Sequence, residues 1–180
     1  MRKLISFFLI LSPFLVTSCD NEKKRKSTID LKEIIKNNNS YNSIKWVEIN
    51  ELDKLMAKEA KKIIIFFYRP GCPYCDEMKK TTLVDQDIIK LINDNFYAVM
   101  FDGRSKESAL LNGVTYKNQE QDTNIQNNHD LHKTLVDPYN GGIYWPSTVF
   151  LNENYQKLRS YPGLQKPAQF PRLLQNMINR

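Results

Sequence analysis

From residue 44 onward, apolar runs of strand length alternate with segments whose apolar residues have helical spacing. The two clearest runs, Lys62–Tyr68 (KIIIFFY) and Phe96–Asp102 (FYAVMFD), are nearly continuous, which is typical of strands covered on both faces. Further strands are predicted at 44–49, 147–152 and 156–161, the last two as a hairpin around 152–154. Helices are predicted at 50–61 with Asn50 as its cap, and at 72–80, 87–95, 124–136 and 167–179.

This alternation of strands and helices, which ends in a hairpin and a final helix, predicts one α/β domain over residues 44–180. Its central sheet is expected to be of mixed direction, with helices on both faces. The polar stretch 103–123 has no clear periodicity, and 138–142 is expected to be a loop. No internal repeat is present in the sequence.

Composition and charge exclude several classes of protein. With 41% apolar, 11% aromatic and 26% charged residues, the chain is globular in composition. The net charge of +6 is spread evenly, with +2 on Arg2 and Lys3, +2 on residues 19–44 and +2 on the remaining domain. The domain itself is therefore nearly balanced, and no nucleic-acid partner is expected. No apolar run has the roughly 18–20 residues of a spanning helix, so a polytopic membrane protein is excluded.

The first eighteen residues have the organisation of a signal peptide. Arg2 and Lys3 precede an apolar stretch at 4–16, which is too short to span a bilayer, and small residues then lead directly into Cys19. This arrangement resembles the lipobox of bacterial lipoproteins. The resemblance implies that residues 1–18 are removed and that Cys19 is acylated, so the domain is anchored to a membrane of the cell envelope, outside the cytoplasm. The alternative is an ordinary secretory signal that leaves Cys19 as a free thiol.

Residues 19–43 are predicted to be a flexible tether between the lipidated N-terminus and the domain. They combine a basic run, Lys23–Lys26, with a tract rich in Asn and Ser. The alternative is a short helix through Ile29 and Ile35 that packs against the domain or a partner. The basic run could also contact anionic lipid.

The segment Cys72-Pro73-Tyr74-Cys75 directly follows a predicted buried strand and opens a predicted helix. Unpaired N–H groups and the positive end of a helix stabilise an anion, so the pKa of Cys72 is expected to fall. A free thiol is only about 3% ionised at pH 7, whereas sites of this kind have pKa values of roughly 3.5 to 7. Pro73 suits the first helical turn, where an N–H is not needed, and the spacing brings both sulfurs within disulfide distance.

Two separated motifs in this order resemble the thioredoxin fold over residues 44–180. The first is Cys72–Cys75, and the second is Tyr144–Phe150 (YWPSTVF), which is similar to the segment of that family in which a cis-proline opens a strand. The resemblance implies that Cys72 is the exposed nucleophile, Cys75 the buried resolving thiol and Pro146 the cis residue beside them. It also implies that Trp145, with its backbone free to pair with an extended substrate, faces the substrate groove, while Tyr74 is expected to be exposed.

The sequence differs from thioredoxin itself at three points. Gly71 stands in place of its tryptophan, Phe66 in place of its buried aspartate, and the distance from Cys72 to Pro146 predicts an insertion at about 103–123. The chain most resembles membrane-tethered thioredoxin-like lipoproteins of bacterial envelopes. Once Cys19 is lipidated, Cys72 and Cys75 are the remaining cysteines, so no structural disulfide competes with them.

The resemblance implies a thiol:disulfide oxidoreductase that exchanges disulfides with proteins, with the reductase direction preferred. No cofactor is expected, and reduction needs a membrane redox partner to supply electrons. One alternative is a metal-binding or metallochaperone lipoprotein in which the two cysteines join His129 and His132, although these histidines are expected to be exposed on a helix. A redox-inert interaction module is the other alternative.

Overall fold

The computed structural model describes residues 42–180. The predicted signal peptide, Cys19 and the tether up to residue 41 lie outside these residues. In chain order the helices and strands are α1 (Leu52–Lys58), β1 (Lys62–Tyr68), α2 (Pro73–Lys80), α3 (Gln86–Asn95), β2 (Phe96–Asp102), β3 (Ala109–Leu111), β4 (Val114–Tyr116), α4 (Asp130–Leu135), β5 (Ser147–Leu151), β6 (Lys157–Pro162) and α5 (Phe170–Ile178).

The central sheet has four strands in the order β2-β1-β5-β6. The β1 strand pairs in parallel with β2, with Tyr68 opposite Asp102, and antiparallel with β5, with Phe67 opposite Ser147. The β5 and β6 strands form the predicted hairpin. The predicted sheet of mixed direction is therefore confirmed, and the apolar run of β1 lies at its centre.

Alternate residues of β1 enter two separate cores, one on each face of the sheet. Ile63, Ile65 and Phe67 pack with Leu52 of α1 and Leu131 of α4 on one face. The other face of the sheet is covered by α2, α3 and α5, whose buried side chains pack on Ile64 and Phe66. This division explains why β1 is apolar at every interior position, and it confirms that helices cover both faces.

The polar stretch 103–123 contains a second, two-stranded sheet that its sequence does not indicate. The β3 and β4 strands pair antiparallel, and Ala109 and Leu111 are buried in the core beside α1. Asp53 of α1 accepts hydrogen bonds from both backbone amides of the tight turn, Asn112 N at 2.9 Å and Gly113 N at 2.8 Å. Strands of only three residues are too short to produce a recognisable alternation.

The predicted strand at 44–49 and the predicted beginning of the helix that follows it are wrong. Instead of a strand at 44–49 there is one bridge, Trp46 to Ala98, and a 3₁₀ turn begins at Ile49. Asn50 does not cap the helix, because its side chain binds the hairpin: Oδ1 accepts from Leu110 N (2.7 Å) and Nδ2 donates to Ser108 O (3.3 Å). The helix α1 accordingly begins at Leu52 rather than at Asn50.

The predicted helix 124–136 is shortened to the six residues of α4. Its N-cap is His129, whose Nδ1 accepts the backbone N–H of Leu131 at 3.1 Å. The residues before it are held as loop by Asn118, which is 2% exposed and donates through Nδ2 to the carbonyls of Arg104, Ser105 and Asn127. The bond to Asn127 O occupies a carbonyl that a helix extended towards residue 124 would use for its own hydrogen bonds.

The last helix closes the face of the sheet that also carries α2 and α3. Phe170 of α5 packs edge to face on Phe66, with ring centroids 6.1 Å apart, and Leu174 and Met177 continue this contact. Lys62 at the start of β1 donates through Nζ to the carbonyls of Met177 (3.1 Å) and Ile178 (2.6 Å), which fixes the end of α5 to the central strand. Within residues 42–180, no helix is long and apolar enough to cross a bilayer.

Candidate active site

The Cys72–Cys75 segment joins the end of β1 to the beginning of α2. Gly71 has φ of +66°, a left-handed conformation that favours glycine, and it turns the chain into the helix. Cys72 is the N-cap of α2 with extended backbone angles, and Pro73 occupies the first turn. The backbone N–H of Cys75 lies 3.2 Å from Cys72 Sγ, and the Cys72 carbonyl accepts from Cys75 N and Asp76 N, both at 3.1 Å.

Cys72 and Cys75 form a disulfide, with their Cα atoms 5.2 Å apart. Cys75 is buried as predicted, being 1% exposed, but Cys72 is 2% exposed, so its expected exposure is wrong for the disulfide form. The reason is that Cys72 Sγ is bonded to the buried Cys75 and turned onto the first turn of α2. Tyr74, between the two cysteines, is 62% exposed, as predicted.

The beginning of α2 presents donors and a positive helix end to the sulfurs. The acidic side chains of this helix, Asp76 and Glu77, are exposed, and Lys79 and Lys80 lie in its last turn. The ammonium of Lys79 lies 3.7 Å from the ring centroid of Tyr68 at the end of β1. The local field at Cys72 therefore comes from the helix end and its amides rather than from a neighbouring carboxylate.

The second motif lies beside the disulfide. The peptide bond between Trp145 and Pro146 is cis, as predicted. Pro146 lines a small apolar cavity of about 10 Å³ together with Cys75, Phe67 and Met78, so the fold brings the two distant motifs together. Two hydrogen bonds hold the proline segment: Gly163 N donates to Pro146 O at 2.7 Å, and Ser147 Oγ donates to Tyr144 O at 2.6 Å.

Trp145 is half-buried and is held by a stacked histidine. The rings of Trp145 and His132 are parallel to within 8°, with centroids 4.4 Å apart. Gly103, directly after β2, allows this stack, because a Cβ there would lie 2.4 Å from Trp145 Cη2 and 2.9 Å from His132 Cδ2. Sequence reasoning missed both His132 and Gly103 as the residues that position Trp145.

The prediction that His129 and His132 are exposed is wrong, because both are fully buried. His132 shares a face of α4 with Leu131 and Leu135, and its three-residue spacing from Leu135 was the signal available in the sequence. Burial, and then the charges of Arg104, His129 and Lys133, lower the pKa of His132 to about 4. Burial also lowers the pKa of His129, against a raising hydrogen bond from its Nε2 to Glu107 O.

The two cysteines and two histidines do not form the metal site that the sequence left open. Across residues 42–180, no three His, Cys, Asp or Glu side chains come together as metal ligands would. Each histidine has its own place in the core: His129 caps α4, and His132 packs between Trp145 and Phe67, whose ring lies 5.1 Å away.

Comparisons with known proteins agree with this architecture. A family model described as a thioredoxin-like domain matches residues 49–178. A solved DsbH oxidoreductase superposes with a TM-score of 0.53 at 15% identity, covering 78% of this chain and 88% of its own. A thioredoxin from Thermus thermophilus gives 0.52 at 20% identity, covering 74% and 86%. A thioredoxin-fold protein from Helicobacter pylori gives 0.51 at 17%, covering 83% of each chain. No curated protein is similar at a significant level.

Proposed function

Because the chain belongs to the thioredoxin-like domain family, we propose that it is a protein-disulfide reductase of the bacterial cell envelope. Cys19 carries the lipid anchor, and the domain works at the outer side of a membrane on disulfides of other proteins. A redox partner in the membrane supplies the electrons. One observation carries the proposal: the Cys72–Cys75 disulfide lies at the beginning of α2, with Pro146 and Cys75 lining the same cavity.

In the reductase direction, the dithiol form begins the reaction. The Cys72 thiolate attacks one sulfur of the substrate disulfide, a bond forms between them, and the other substrate sulfur leaves as a thiolate that takes up a proton. Cys75 then loses its proton and attacks Cys72 Sγ. The second substrate sulfur leaves, and the Cys72–Cys75 disulfide is formed. Two electrons and two protons pass to the substrate, and the membrane partner returns them to the pair.

The beginning of α2 supports Cys72 as the attacking sulfur. It is the N-cap, where the N–H of Cys75 lies 3.2 Å from its sulfur and the helix end favours negative charge. Cys75 lies within the helix rather than at its N-cap, which favours its role as the resolving thiol. The cis-proline segment next to it, with Trp145 half-buried, offers an extended edge on which a substrate strand can bind.

Trapping of mixed disulfides tests the proposed reaction. Cys75→Ser removes the resolving thiol, so substrates are expected to remain bonded to Cys72 and to be released by reductant. The matched control is the double variant Cys72→Ser with Cys75→Ser, which has no attacking thiol and should trap nothing. A Cys75→Ser protein without reductant-sensitive adducts in envelope extracts would refute the proposal.

The reduction potential of the Cys72/Cys75 couple tests the direction. A potential near that of thioredoxin, about −270 mV, supports a reductase, whereas a value near about −120 mV indicates an oxidase. Equilibration of the protein with redox buffers, followed by alkylation of the free thiols, measures it.

The anchor is tested separately from the chemistry. Cys19→Ala is expected to move the protein from the membrane fraction to the soluble fraction while the Cys72/Cys75 couple keeps its potential. Membrane association that persists in Cys19→Ala would contradict acylation at this residue.

A further inference from the structure

The ends of β1 and β2 bring two arginines together next to the disulfide loop. The strands are parallel, with Tyr68 opposite Asp102, and Gly103 N donates to Tyr68 O at 2.8 Å. Arg69 therefore follows the end of β1 at the same edge of the sheet where Arg104 follows the end of β2. Neither arginine belongs to the pairing of the sheet.

No carboxylate within residues 42–180 forms a salt bridge with Arg69 or Arg104. The Nε atom of each is buried without a hydrogen-bond partner in this part of the chain, and Arg104 uses one Nη on the side-chain oxygen of Gln126. Burial and the charge of Arg69 lower the pKa of Arg104, which Asp102 only partly offsets. Both side chains are partly exposed, and a guanidinium group without a carboxylate partner can still donate to an anion through its Nη atoms.

A cavity of about 370 Å³ opens beside Arg104, and Arg69 directly precedes Pro70 of its lining. Its lining includes Pro70, two residues before Cys72, as well as Arg104 and Lys106. Lys106 Nζ donates to the backbone carbonyls of Glu120 at 2.6 Å and Ile125 at 3.1 Å, so its charge is held in the wall. Asp102 is the one acidic side chain of the lining, which is therefore positive on balance.

Arg104 also links this cavity to the proline segment. Its guanidinium carbon lies 5.9 Å from the ring of Trp145, which precedes Pro146. A polypeptide bound along Pro146 at the disulfide would pass over Trp145 towards Arg104. Its side chains beyond the reacting cysteine would thus meet the two arginines.

We infer that Arg69 and Arg104 form an anion subsite that binds the carboxylate of an acidic side chain in the substrate polypeptide, close to the disulfide that is exchanged. A guanidinium group matches a carboxylate in two parallel hydrogen bonds, and the aromatic ring beneath Arg104 helps to fix its plane. The inference rests on the proposed function and names its substrate class as proteins with Asp or Glu near the reactive cysteine.

Three short disulfide-linked peptides that differ only in the residues flanking cysteine provide the test. The flanking residues are Glu, Gln or Lys, and the rate of reduction of each peptide by the full-length dithiol protein is measured. We expect the Glu peptide to react roughly tenfold faster than the Gln peptide, a ratio equivalent to about 1.4 kcal/mol, and the Lys peptide to react slowest. The Glu-to-Gln ratio should fall as salt is added.

Substitutions of the two arginines show whether they cause the preference for the Glu peptide. Arg104→Gln and Arg69→Gln should each bring the Glu-to-Gln ratio close to one, and Arg104→Glu should make the Lys peptide the best substrate. The matched control is Arg172→Gln, which removes the same charge from the exposed side of α5 and should leave the ratio unchanged. Each ratio is taken within one preparation, so partial unfolding of a variant does not change it.

The outcomes separate this inference from the proposed function. Reduction of all three peptides at equal rates by the unaltered protein would overturn the anion subsite while the reductase stands. A Glu preference that survives in both Arg104→Gln and Arg69→Gln would overturn it as well. Failure to reduce any peptide would refute the proposed function, and the subsite with it.

Discussion

Acidification should destabilise this domain through His132, whose imidazole is held neutral in the core. The ring is fully buried, stacks on Trp145 at 4.4 Å and contacts the edge of Phe67, and neither ring nitrogen has a hydrogen-bond partner within residues 42–180. The perturbation is a fall in pH from 7 to 4, compared between the unaltered protein and His132→Phe. Phenylalanine keeps an aromatic ring in the stack but cannot bind a proton.

The expected magnitude follows from the pKa of His132 in the two states. In the unfolded chain it is about 6.5, whereas in the fold it is lowered to about 4, first by burial and then by nearby positive charges. As the pH falls below 6.5, the unfolded state binds the proton before the folded state does. The stability that depends on the neutral ring is thus complete above pH 6.5 and is lost on the way to pH 4. At about 1.4 kcal/mol per pH unit, the loss is about 3 kcal/mol.

Urea unfolding of the disulfide form at a series of pH values measures this loss, followed through tryptophan fluorescence. The unaltered protein should lose about 3 kcal/mol more of its free energy of unfolding between pH 7 and 4 than His132→Phe does. The lowered pKa values of Asp53 and Asp130 affect both proteins and cancel in this difference. Equal pH dependence of the two proteins would refute the argument that His132 is the buried neutral group.

Three further substitutions test contacts at Trp145, at the β3–β4 turn and in the loop around Asn118. Gly103→Ala places a methyl 2.4 Å from Trp145 Cη2. It should lower the free energy of unfolding in urea by about 1–3 kcal/mol, and Trp145→Phe should partly restore it. An unchanged free energy of unfolding would contradict this close approach. Asp53→Ala should lower the free energy of unfolding by about 1–2 kcal/mol. In a double-mutant cycle with Tyr155→Phe the two effects should not be additive, because the side chains share a 2.9 Å hydrogen bond. Asn118→Ala leaves three carbonyls without their donor, so amide exchange in residues 103–128 should accelerate. Unaltered exchange would show that other contacts hold this loop.

Elements of the fold could be predicted from the sequence where one physical constraint acts on consecutive residues. The β1 strand is covered on both faces, and this leaves an uninterrupted apolar run that few other structures produce. The position of Cys72 at the beginning of a helix followed from Pro73 and from the end of that run. Pro146 was found by its resemblance to the proline segment of a known family, and its contact with the cavity of Cys75 required the fold.

The features that the sequence does not predict depend on contacts between segments far apart in the chain. Asn50 has the composition of a helix cap, yet its side chain binds β3, which lies sixty residues later. The polar helix around His129 and His132 predicts that both are exposed, but one caps α4 and the other fills the space beside Trp145. Nothing local in Gly103 indicates that two aromatic rings approach it. The site is accordingly predictable in its cysteines and proline, but not in the residues that support Trp145.

The contact of α5 with β1 has a consequence for the order in which the domain folds. The helix Phe170–Ile178 supplies the last side chains of the core around Phe66, and Lys62 holds its final carbonyls. During synthesis the core on this face of the sheet stays incomplete until residues 170–178 have been translated and have left the ribosome. The nascent chain therefore cannot complete this core by folding from its N-terminal end, because Lys62 and Met177 are 115 residues apart.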